Sequence, residues 1–201
     1  MIKRSKECLG AETRFERRMK NQKRKAQTTE VDLQMENLPR ESLIGLVRLY
    51  SRLMMDIDAF WFLSMKDRLN NEEAIACDNW VWGKVVKKML DDLAELIGVQ
   101  GRDVVDFMRV IQATPLHHVV EEKIEAKNRN HAILTVTLCP TLAALEKEDA
   151  GRDTVHCRLA CSVTRAKHAQ LFNPAIEVRS VTMPPRRDRQ SIFCQWEYKI
   201  R

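Results

Sequence analysis

Apolar residues recur at helical spacing at Leu43, Leu46, Val47, Tyr50, Leu53, Met54, Ile57, Phe60, Trp61 and Met65. That spacing predicts one long helix with a single broad buried face. Asn70-Asn71 interrupts it, and Asn71 with Glu72 and Glu73 suits a new helix N-terminus, where side-chain acceptors and negative charge meet free N–H groups. A second helix is expected over 72–97, burying Ile75, Val81, Val85, Met89, Leu93 and Leu96, with Gly98 as its C-terminal cap. A shorter helix over 103–113 stops before Pro115.

The period then changes from 3.6 to two. Over 131–139, Ala132, Leu134, Val136 and Leu138 alternate with Ile133, Thr135, Thr137 and Cys139, the pattern of a strand with one buried face. Asn128-Arg129-Asn130 reads as the hairpin turn before it, following a mixed segment from His118 to Glu125. Pro140 opens a short helix to about residue 150, and Gly151 separates it from another over 154–171. Strands over 176–182 and 192–200 follow, the last with Ile192, Cys194, Trp196, Tyr198 and Ile200 on one face. The polar, basic stretch 183–190 links them. The expected fold is α+β: a helical N-terminal half of three helices packed on a four-stranded, mainly antiparallel sheet, with two further helices between the strand pairs.

Charge divides the chain. Residues 1–27 hold ten Lys or Arg against three Glu, a net +7, so the remainder carries −1 of the total +6. Residues 1–37 have too few apolar positions to offset the entropy of ordering and read as a basic, disordered extension; residues 38–201 read as a single domain. The body gives no electrostatic reason to expect specific nucleic-acid binding. No apolar run approaches the roughly 20 residues of a membrane span, and charges interrupt any signal-peptide core. A cytoplasmic setting with reduced thiols is expected.

Chemistry is most concentrated in the cysteines. Cys139 ends a strand, Cys157 and Cys161 lie four apart on a helix, and Cys194 is on the inward face of the last strand. A spacing of four puts two side chains on one helical face, about 6 Å apart. Three readings stand: buried structural thiols, a catalytic thiol, or a four-thiolate zinc or iron–sulfur site at Cys139, Cys157, Cys161 and Cys194. No cofactor is expected, the metal being the alternative. His118, of the His117-His118 pair, and His156 beside Cys157 are candidate bases, whereas His131 and His168 read as surface residues. Asp58 and Asp78 fall on or beside apolar helix faces, where a carboxylate needs a partner or a pocket. Trp61, Trp80 and Trp82 read as core first. Phosphate loops, dinucleotide fingerprints and HExxH are absent.

Several segments, in order, resemble a family of uncharacterised bacterial and archaeal cytosolic proteins related to the L-2-amino-thiazoline-4-carboxylic acid hydrolase-like proteins. They are Asp58-Ala59-Phe60-Trp61-Phe62, Ala76-x-Asp78-x-x-x-Trp82, Cys139, Cys157, Phe172-Asn173-Pro174-x-Ile176, Pro184-Pro185 and Cys194-Gln195-Trp196-Glu197-Tyr198. The resemblance covers about residues 38–200. It implies a small-molecule site, with Cys139 or Cys157 as nucleophile for a small carboxylated heterocycle. His118 or His156 would serve as base, and Asp58, Trp61, Asp78 and Trp196 would line the site. Ser180 and the basic run Arg186-Arg187-Asp188-Arg189 depart from the family pattern. A small-molecule ligand is the expected partner, with homo-oligomerisation left open.

Overall fold

A computed structural model describes residues 33–148 and 151–201. The expected basic extension therefore lies outside the described residues except for its last few, which include a 3-10 turn at Met35–Asn37. From Arg40 onward the chain forms one compact unit.

Two long helices come first, α1 (Arg40–Arg68) and α2 (Asn71–Leu96), followed by the short α3 (Val104–Ile111). The cap of α2 is Asn70, one residue earlier than expected: its side chain accepts the Glu73 N–H at 2.9 Å. Gly98, at φ +69°, turns the chain out of α2 in the left-handed region that a residue without Cβ enters freely. Asp103 caps α3 by accepting from the Asp106 N–H at 3.0 Å. Pro115–His118 forms a 3-10 turn.

The strands are β1 (Glu121–Asn128), β2 (His131–Leu138), β3 (Ile176–Thr182) and β4 (Cys194–Ile200). They form one antiparallel sheet in the order β1-β2-β4-β3, with the C-terminal strand inserted between β2 and β3. Between β2 and β3 run α4 (Pro140–Glu148), α5 (Arg152–His156) and α6 (Ser162–Phe172); α5 and α6 are joined by a π-helical turn at Cys157–Cys161. One continuous α-helix was expected there. A π turn accommodates an extra residue and is found frequently at functional sites.

The helices cover one face of the sheet. Ala132, Leu134, Val136, Trp196 and Tyr198 on that face are buried with Phe107 and Phe172, whose rings meet at a tilt of 46° with centres 5.4 Å apart between α3 and α6. Each such buried ring contributes about 1.5–3 kcal/mol. The opposite face is polar: Glu197 accepts from Arg179 at 2.8 Å and pairs with His131 at 2.9 Å.

The long helices depart from expectation. Of α1, only Ser51 and Phe62 are fully buried, while Ile57 and Phe60 are about 70% exposed (70% and 71%). The inward stripe instead runs through Met55, Asp58, Phe62 and Met65. In α2, Val86, Leu90 and Ala94 are buried, whereas Val81, Val85 and Leu96 are exposed. Both helices carry apolar residues around more than one face, so periodicity alone cannot choose the inward one. Among the described residues no helix is long and apolar enough to cross a membrane.

Candidate functional site

The sheet register builds one wall. Glu122 of β1, Val136 of β2 and Cys194 of β4 lie in one row across the strands. β2 ends beside that row, and Cys139 follows as the residue preceding α4. Its sulfur accepts from the Leu142 N–H at 3.5 Å, the geometry of a helix N-cap. Burial outweighs that stabilisation of the thiolate, and with the neighbouring Cys161 and Cys194 thiols it pushes Cys139 up to about 11.

The π turn supplies the other two sulfurs. Cys157 and Cys161 neighbour each other across the turn, and their mutual interaction holds Cys157 as a neutral thiol and draws Cys161 below the ordinary thiol value. The Arg165 guanidinium, one further helical turn along, lowers Cys161 as well. Cys194 is raised by burial, against the opposing charge of Arg165 and a hydrogen bond from Trp196 Nε1 at 3.1 Å. Arg165 is thus the hub. It donates to Tyr198 Oη at 3.1 Å and lies over the Trp196 ring, 5.3 Å from its centre.

A second layer sits beside the thiols. The Trp82 indole N–H donates to Asp58 Oδ1 at 3.1 Å, and the Asp58 and Asp78 carboxyls are within hydrogen-bonding reach of each other. Burial, then the charge of Asp58, raises Asp78 to about 7, so the pair shares a proton near neutrality. On the sheet side, His117 Nδ1 hydrogen-bonds Glu122 Oε1, both side chains being more than nine-tenths buried (6% and 7% exposed). His168 is lowered to about 4 by burial, then by Arg165 and His117. Asp78 Oδ1, Glu122 Oε2 and His168 Nε2 are buried with no protein partner, as is His156 Nδ1 away from the thiols. Such atoms are costly unless something else satisfies them.

Of the residues singled out from sequence, Cys139, Cys157, Cys161, Cys194, Asp58, Asp78 and Trp196 therefore belong to one neighbourhood. Three do not. His118 faces solvent, because the 3-10 turn directs its neighbour His117 inward instead. His156 packs edge-on against Phe62, 5.6 Å between ring centres, and its charged neighbour is Arg152 rather than a thiol. Trp61 lies on the outer face of α1. His168, read as a surface residue, is largely buried. Cys139 and Cys157, the expected nucleophiles, are the sulfurs most strongly held as neutral thiols. Among the described residues, no three His, Cys, Asp or Glu side chains are grouped so as to hold a metal ion, so the four-thiolate alternative finds no support in this geometry.

Arg165 was legible in principle: Cys157, Cys161 and Arg165 are spaced four apart and share a helical face. Glu122 carried no comparable signal, since only the sheet register turns it inward; of the His117-His118 pair one was expected inward, and the 3-10 turn selects His117.

No curated protein and no solved structure matches the chain. A family model does, over residues 36–200, which takes in every element from α1 to β4. The chain belongs to that family, a family of unknown function (DUF6125).

Proposed function

We propose that this protein binds a small carboxylated molecule against Arg165 and hydrolyses it with Cys161 as the nucleophile. The observation that carries the reading is that Arg165 faces three thiols, Cys139, Cys161 and Cys194, beside the buried Asp78 Oδ1, Glu122 Oε2 and His168 Nε2, which have no protein partner. A guanidinium flanked by Tyr198 and Trp196 suits a carboxylate ligand. Cys161 takes the role that the sequence suggested for Cys139 or Cys157, because thiolate character is what makes sulfur nucleophilic.

In this reading Cys161 attacks an electrophilic ring carbon. A C–S bond forms, and the bond from that carbon to the leaving heteroatom breaks. The heteroatom takes the proton held by the Asp58–Asp78 pair. Water then cleaves the new C–S bond, frees the Cys161 thiolate and returns a proton to the pair. The acid–base role thus passes from His118 and His156 to the carboxyl pair. A small sulfur-containing heterocycle with a carboxylate, of the thiazoline type, is the substrate class.

The test is alkylation by iodoacetamide at neutral pH with mass mapping, run with and without a thiazoline carboxylate, followed by assay for ring-opened thiol. Cys161 should label first, be protected by the carboxylate, and be required for thiol release. Equal labelling of all thiols without protection would remove the basis of the proposal. Protection without release assigns a non-catalytic ligand-binding module, a reading favoured by the neutral state of the other three sulfurs.

A further inference from the structure

The exposed face of α1 carries a regular repeat that the folded domain leaves unused. Leu43, Leu46, Tyr50, Leu53, Ile57 and Phe60 follow one another at intervals of alternately three and four residues. This is the a/d spacing of a helix that pairs with another helix along a narrow seam. The inward stripe through Met55, Asp58, Phe62 and Met65 is a different face of the same helix. Continued in both directions, the repeat meets Glu36 and Pro39 before α1, and Ser64 and Asp67 at its end, so the apolar seam is confined to the helix.

Leu43 and Leu46 are half-buried, but from Tyr50 onward exposure along the seam is high: 58% at Tyr50, 48% at Leu53, 70% at Ile57 and 71% at Phe60. With Val47, Met54 and Trp61 on its flank, the stripe exposes on the order of 800 Å², the area one partner contributes to an ordinary stable interface. The largest apolar patch on a typical monomer is about 300–600 Å². We infer that this face of α1 docks against α1 of a second copy of the same chain, forming a two-helix seam at the core of a homodimer.

A second copy fits better than the chain's own N-terminus. Residues 1–32 carry a net charge of +5 and, among large aliphatic and aromatic residues, only Ile2, Leu9, Phe15 and Val31, with no a/d repeat. They offer no matching apolar stripe. A second α1 does, since knobs and holes of one a/d seam are complementary to those of an identical helix, and Leu at d suits two strands.

The experiment is sedimentation equilibrium of the full chain at micromolar concentration, beside Ile57→Glu, Ile57→Ala and a chain lacking residues 1–32. The full chain should sediment at twice 23.4 kDa. Ile57→Glu should be monomeric with unchanged helical circular dichroism, and Ile57→Ala should raise the dimer Kd at least tenfold. Removal of 1–32 should leave the dimer intact. A monomeric full chain overturns the inference, including one that dimerises only after 1–32 are removed, for then the tail covers the stripe. A dimer indifferent to Ile57→Glu places the interface elsewhere and overturns it equally. Should Ile57→Glu lose its helical signal, the Kd of Ile57→Ala decides, and an unchanged value counts against the seam.

Discussion

The Trp82 indole N–H donates to Asp58 Oδ1 at 3.1 Å, tying α2 to α1 across 24 residues of sequence. This hydrogen bond opposes the upward push of burial on Asp58, and the Asp78 carboxyl acts in the same direction. Trp82→Phe removes the donor and leaves a part-buried carboxyl without it. A loss of about 1–3 kcal/mol in unfolding free energy is expected from urea denaturation. An unchanged midpoint and slope would mean that the bond contributes nothing net.

Asp78 gives stability a pH dependence of definite sign. Folded, it keeps its proton to about pH 7, against an ordinary value of 3.8. Between those values the folded chain binds more protons than the unfolded, so this contribution is complete below pH 3.8 and declines as pH rises through 7. His168 acts oppositely: lowered to about 4 from 6.5, it favours folding as pH rises across that interval. The two are separated by difference. Wild type minus Asp78→Asn should fall with pH by at most about 1.4 kcal/mol per unit, and wild type minus His168→Gln should rise.

The Cys161 thiol is drawn down first by its neighbour Cys157 and then by Arg165. Both Cys157→Ala and Arg165→Met should shift the midpoint of Cys161 alkylation upward, Cys157→Ala by more. Cys139 and Cys194 should stay slow in all three proteins, because burial raises both. Alkylation profiles that coincide across the three would remove both causes.

Arg186 is an organising residue of the link between β3 and β4, a stretch that reads from sequence as a merely polar, basic connection. It makes a bidentate pair with Glu146 of α4 at 2.7 and 2.6 Å and donates to the Arg189 and Ser191 carbonyls at 3.0 Å. Its guanidinium stacks on Phe193 at 4.0 Å, and its side chain is 7% exposed. Arg186→Ala should destabilise by about 2–4 kcal/mol and Glu146→Gln by less. A double-mutant cycle should return a coupling above about 0.5 kcal/mol. Additive effects would show that Arg186 acts through the loop carbonyls and Phe193 alone.

Two glycines approach side chains closely, with different consequences. A Cβ at Gly101 would lie 1.9 Å from Asp106 Oδ2, which Arg129 Nη2 holds from the hairpin at 3.2 Å. A Cβ at Gly83 would meet Lys167 Nζ at 2.2 Å, the free end of a flexible chain. Thermal denaturation should show Gly101→Ala less stable by about 1–3 kcal/mol. Gly83→Ala should be neutral or up to about 1 kcal/mol more stable, as helix propensity dictates. Equal effects would mean that Asp106 yields as readily as Lys167.

Period and punctuation in the sequence determined the element order, the strand at 176–182 and the inward parity of Cys194, Trp196 and Tyr198. These were legible because alternation of period two and the Gly, Pro and Asn breaks act within a few residues of chain. The sequence also marked Asp58 and Asp78, since a carboxyl on an apolar helix face is anomalous wherever that helix packs. Which face of α1 points inward was not legible: Phe62 and Phe60 are equally apolar, and only the packing of α2 and the 3-10 turn against α1 separates them. Nor was the ranking of the thiols. Cys139, Cys157, Cys161 and Cys194 are chemically identical in sequence. Their differences come from the Arg165 charge, the Leu142 and Trp196 N–H groups and burial, each delivered through space by a register or a π turn. Local interactions wrote the elements; long-range electrostatics and packing, absent until the chain closes, decided the site.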